Sequence, residues 1–122
     1  MGKRLTITDL MAQKDKTPQT SVWVDVPVLG GEIEVRRLPL ARFMELSRGV
    51  NSENPAATLQ AQYDMIYAFC PILHEDDLQE HFACDVPTDI VPKIFRENMG
   101  SMNLVVDAIG SFYLEAEDEA KN

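Results

Sequence analysis

The stretch SVWVDVPVLGGEIEVRRL, residues 21–38, decides the fold class. Val22, Val24 and Val26 alternate with Trp23 and Asp25, and Ile33 and Val35 alternate with Glu32, Glu34 and Arg36. Successive side chains of a strand point to opposite faces, so this period of two predicts two strands, each with one apolar face. Pro27 and the Gly30-Gly31 pair lie between the runs, which predicts a β-hairpin closed by a loop of about four to five residues. A two-stranded hairpin alone is marginal in water. Its valine and isoleucine face must therefore rest on helices supplied by the remaining chain. No Lys-Ser/Thr pair follows the glycines, so they are turn residues and not a phosphate-binding loop.

Outward from the hairpin, apolar spacing changes to three and four. Before it, a short helix is expected over Thr8 to Gln13, capped by Thr8 or Asp9, and then a polar linker, KDKTPQT. After it, Pro39 opens a helix over LARFMELSRG that Gly49 stops, and GVNSENPAA reads as a loop. From Thr58, Leu59, Tyr63, Ile66, Cys70 and Leu73 form one apolar stripe, on a helix that Pro71 ends or bends. HEDDLQEHF reads as a short acidic helix with its acids in the first turn, where the helix dipole favours negative charge. Asp89 is the expected cap of a further helix, with Ile90, Ile94 and Phe95 facing inward and Gly100 ending it. Ser101 then caps a last helix from Met102. The fold class is therefore α+β and predominantly helical: a small N-terminal hairpin packed on a bundle of about four to five short helices.

A chain of 122 residues fits a single domain. Its parts would be a partly flexible segment 1–20, the hairpin 21–38, the helical bundle 39–114 and an acidic flexible tail 115–122. At this length roughly two thirds of the unfolded surface is buried, enough for a core without disulfides or metal. No apolar run approaches the length of a membrane span, and the first residues lack a hydrophobic signal core. The net charge of −9 is uneven. Residues 1–48 carry eight Lys/Arg against six Asp/Glu, whereas residues 49–122 carry three against fourteen. Such an acidic second half argues against nucleic acid, whose binding depends on neutralising phosphates. It favours solubility, or a basic or apolar protein partner.

Both cysteines and both histidines fall in CPILHEDDLQEHFAC: Cys70, His74, His81 and Cys84. Structural zinc sites pair ligands more tightly, and Pro71 interrupts the first pair here. The apolar stripe accounts for Cys70 as a buried thiol, so no metal ligand and no cofactor are assigned to the chain. No catalytic residue is assigned either: His81 and Cys84 lack an oxyanion loop beside them, and no nucleophile-elbow signature occurs. The last helix is unusual in being apolar nearly all round. Val105, Ile109 and Phe112 share one face, while Met102, Val106 and Tyr113 lie on another sector. Either it is the central helix of the bundle, or one face is left over for a partner. The candidate partner-binding residues are Met102, Val106, Phe112, Tyr113 and Leu114.

Two longer stretches, PVLGGEIEVRRLPLARFMEL and YDMIYAFCPILHEDDLQEHFACDVPTDIVPKIF, together with LTITDL near the N-terminus, resemble phage tail assembly chaperones of the XkdN-like type. The resemblance spans roughly residues 5–114 and lies in the order and spacing of the pieces. It implies a non-enzymatic protein of a phage or prophage tail module. Such a protein binds the tape-measure protein and keeps it soluble in the cytoplasm of the bacterial host while tail-tube subunits assemble round it. It is absent from the mature virion. Tape-measure protein and tail-tube subunits are the partners so implied, with neither nucleic acid nor membrane among them; the surplus apolar face of the last helix adds a further copy of the chain as a candidate partner. The rival readings are a structural tail-completion or connector protein of the same module, and a small acidic regulator that mimics nucleic acid.

Overall fold

The computed structural model describes residues 4–15, 19–51 and 53–114. Residues 16–18 of the linker and the acidic segment 115–122 lie outside the described residues. The hairpin forms as the alternation requires: β1 (Ser21–Val26) pairs antiparallel with β2 (Gly31–Arg36), with Val22 opposite Val35 and Val24 opposite Ile33. Pro27–Leu29 make a 3-10 turn. Gly30 then takes φ 77°, a left-handed backbone that costs glycine nothing. Its N–H donates to the Val26 and Pro27 carbonyls at 3.1 and 3.0 Å.

Six helices complete the described chain: α1 (Ile7–Met11), α2 (Leu40–Ser47), α3 (Pro55–Phe69), α4 (Asp76–His81), α5 (Ile90–Ile94) and α6 (Met99–Leu114). The cap of α1 is Thr6, not Thr8 or Asp9. Thr6 Oγ1 accepts the Asp9 N–H at 3.2 Å, and the Asp9 carboxylate accepts the Thr6 N–H at 3.0 Å. That reciprocal pair is a capping box, in which an acid three residues inside the helix answers a hydroxyl at its start. Helix α3 begins at Pro55, three residues before the expected Thr58, because Asn54 caps it: its Oδ1 accepts the Ala56 N–H at 2.9 Å. Phe69 is its last residue, since Cys70 precedes proline and is extended (φ −116°, ψ 91°).

Two glycines do not do what their position suggested. Gly49 does not stop α2; the chain runs on through it as a 3-10 turn, Arg48–Asn51. Its role is close approach: a Cβ there would lie 2.8 Å from the Ala61 Cβ of α3. Gly100 sits inside the first turn of α6 instead of ending α5. The break before α6 is made by Arg96 and Glu97, both left-handed at φ 56° and 55°. The cap of α6 is Asn98, whose Oδ1 accepts the Ser101 N–H at 2.8 Å, so Ser101 is not the cap. A similar left-handed residue, Ala83 (φ 52°), ends α4. There Cys84 N–H donates to the Gln79 carbonyl and Ala83 N–H to the Glu80 carbonyl, at 3.2 and 3.0 Å, the paired bonds of a Schellman closure.

One apolar core joins these elements. Val26, Ile33 and Val35 enter it from the hairpin, and Ile66, Phe69, Cys70 and Leu73 from α3 and the turn after it. Ile90, Val91 and Phe95 come from the α5 region, and Val105 and Ile109 from α6. Ile94, expected inside with its neighbours, is only half-buried, and Val91 takes the inward place. Helix α3 occupies the centre, in contact with α2, α5 and α6. Helix α6 lies between α3 and both strands of the hairpin. Met102, Val105 and Ile109 share its buried face, while Met99, Leu104 and Leu114 remain exposed.

Candidate functional site

A groove of about 920 Å³ lies between the hairpin and the α4–α5 region. Strand alternation sets its first wall. With Val22 and Val24 turned to the core, Trp23 stands on the outer face, paired across the ladder with Glu34, while Asp25 pairs with Glu32. Trp23 is 59% exposed, although tryptophan is highly buried on average. The 3-10 turn Pro71–His74 supplies the next feature. It buries Leu73 completely and turns Ile72 outward at 55% exposure. Leu78 and Phe82 of the α4 region and Ile94 of α5 continue the apolar lining, so it runs from the hairpin to α5.

The charges round this groove are mostly acidic. Glu32 and Glu34 stand on the hairpin wall, and Glu75 and Asp77 at the start of α4. Lys93 and Arg96 stand on the α5 side, beside the exposed His81. Lys93 Nζ already donates to the Phe82 and Ala83 carbonyls at 2.8 and 3.2 Å, where a cation meets the negative end of α4. Glu34 is partly matched by Arg36 at 3.2 Å. An apolar floor with carboxylates along one wall suits an amphipathic segment that carries basic residues beside its apolar row.

The candidate residues of α6 are divided by the structure. Met102 is 2% exposed and belongs to the core. Tyr113 is packed as well: its ring stacks on Phe43 at 4.4 Å, and its hydroxyl accepts the Leu38 N–H at 3.0 Å while donating to the Leu38 carbonyl. Arg37 adds its guanidinium at 4.9 Å from the same ring. Phe112 is half-buried and meets Tyr113 edge-on. Val106 and Leu114 line a smaller hollow of about 520 Å³ between α2 and α6, and Leu114 is 73% exposed.

The four soft ligands are not gathered. Cys70 is fully buried, and burial alone pushes its thiol up to about 12, so it stays neutral and unreactive. His74 is exposed, with Nε2 2.6 Å from the Tyr67 carbonyl and its ring against the Tyr67 ring. Among the described residues no group of three or more His, Cys, Asp or Glu side chains is placed to hold a metal ion. No described helix is long and apolar enough to cross a membrane.

The groove was missed in the sequence because its parts belong to four separate elements. One signal was present: Trp23 occupies a position where strand alternation calls for a polar residue. No family model, no curated protein and no solved structure matches this chain.

Proposed function

We propose that this chain is a non-enzymatic tail assembly chaperone that holds apolar segments of a phage tape-measure protein in solution until the tail tube closes round them. The reading rests on the sequence resemblance over residues 5–114. Within the fold it is carried by one observation, the apolar groove floored by Ile72, Leu78 and Phe82 and walled by Glu32, Glu34, Glu75 and Asp77. A chaperone for an aggregating helix needs apolar contact surface, and charge round that surface keeps the loaded complex soluble. The groove puts both in one place. In this reading the protein works in the host cytoplasm and is left out of the finished particle.

Co-expression with a fragment of the tape-measure protein tests it. The fragment should be soluble with the wild-type chain and precipitate with Ile72→Glu, which sets a charge on the groove floor at an exposed position. A fragment that stays insoluble with the wild-type chain would overturn the reading. Stoichiometric recovery of the chain from purified virions would favour a structural tail subunit instead.

A further inference from the structure

Helix α1 has no buried residue. Leu5, Ile7, Leu10 and Met11 are 60, 76, 56 and 69% exposed, although three of them sit at helical spacings of three and four. Leu5 and Leu10 also occupy the two positions of a hydrophobic staple, just before the cap and one turn in. The Thr6–Asp9 capping box closes the start of this turn. An apolar helix face left more than half exposed offers a partner surface to cover.

We propose that this arm docks in the groove between the hairpin and α4–α5 of a second copy of the chain. Charge supports the match. Residues 1–15 carry Lys3, Arg4 and Lys14 against Asp9 and Asp15, and Arg4 and Lys14 bracket the apolar face at its two ends. The groove offers four carboxylates against Lys93 and Arg96. The arm does not fill its own groove: α1 stands unburied while Trp23 and Ile72 remain exposed. Arm and groove are different surfaces, so the contact is head-to-tail. It closes as a pair exchanging arms or grows as an open chain. This inference concerns contacts of the chain with itself and does not depend on the client.

The full-length protein tests it by sedimentation, with Trp23 as an internal reporter, since it is the only tryptophan and lines the groove. Wild-type mass should rise with concentration, and the Trp23 emission should shift to the blue over the same range. Leu10→Glu and Ile72→Glu each change an exposed side chain and should each weaken the association at least tenfold. Mixing these two variants should restore a heavier species, because the intact arm of one meets the intact groove of the other. Raised salt should weaken the wild-type association. A wild-type protein that stays monomeric up to millimolar concentration would sink the proposal. So would an association indifferent to Leu10→Glu. A monomer whose Trp23 emission is already blue at the lowest concentration, and turns red in Leu10→Glu, would mean that the arm folds back on its own chain, which also overturns it.

Discussion

The hydroxyl of Tyr113 closes on both backbone groups of Leu38, accepting its N–H at 3.0 Å and donating to its carbonyl. These residues are 75 apart in sequence. The bond ties the last turn of α6 to the residue that leaves the hairpin, where the ladder has ended and those groups have no strand partner. Tyr113→Phe keeps the ring on Phe43 and removes the oxygen. Two partly buried backbone groups lose their partner, so the variant should lose about 1–3 kcal/mol in urea unfolding. An unchanged midpoint would show that water replaces the hydroxyl.

The two faces of the hairpin should respond differently to polar substitution. Val35 is fully buried, and Val35→Asp should cost several kcal/mol by burying a charge without a partner. Val24→Asp, on the same face, should also destabilise, by less, because Val24 is only half-buried. Trp23→Ser on the outer face should cost less than about 1 kcal/mol. Thermal melts of the three variants check the order; equal losses for Trp23→Ser and Val35→Asp would contradict the assigned register.

Cys70 makes stability fall in alkali. Its folded thiol is raised by burial to about 12 from an ordinary value of 9.0. Above the unfolded value, the unfolded chain releases a proton that the folded chain keeps, so protonation favours the fold below pH 9.0 and that advantage is lost as pH climbs towards about 12. The slope due to this group is about 1.4 kcal/mol per pH unit within that window. Denaturant titrations at several pH values should show the slope in the wild type and its loss in Cys70→Ala. In native protein near neutrality, Cys84 should react with a thiol reagent and Cys70 should not.

Gly49 and Ala61 should be coupled. A methyl group on Gly49 meets the Ala61 Cβ at 2.8 Å, so Gly49→Ala should cost about 1–3 kcal/mol through overpacking. Adding Ala61→Gly should make that penalty smaller, although glycine inside α3 itself costs about 1 kcal/mol. A double-mutant cycle reads the difference; strict additivity would show that the turn moves aside.

Ala83→Gly should stabilise the protein. Ala83 closes α4 in the left-handed region at φ 52°, which glycine enters freely. Relief of that strain outweighs the added freedom of the unfolded chain by about 0.5–1 kcal/mol. Raised melting temperature is the readout, and a lowered one would mean that the Ala83 methyl group makes a contact that matters more.

Features that depend on neighbours along the chain were legible before the fold was known. The alternation of residues 22–26 and 33–35 sets which hairpin face is apolar, and a register slip of one residue would turn that face to water. The stripe from Leu59 to Leu73 places Cys70 in the core, and Pro71 ends its helix. Caps were legible only in part. Asp9 was visible as a capping residue, but whether it sits before the helix or three residues inside it depends on Thr6 reciprocating. Breaks made by Ala83, Arg96 and Glu97 carry no sequence mark, because any L-residue is forced into the left-handed region only where the surrounding fold holds it.

Tertiary structure decided the rest. The apolar girth of α6 suggested a spare face, yet Met102 is buried in the core and Tyr113 packs on Phe43 and bonds to Leu38. Gly49 looks like a helix stop until Ala61 comes near. The candidate groove joins Trp23, Ile72, Phe82 and Ile94 from four elements, and no local pattern links them. Local hydrogen bonds and periodicity are properties of short stretches of chain. Which surface is covered, and which is left open, is a property of how the stretches meet.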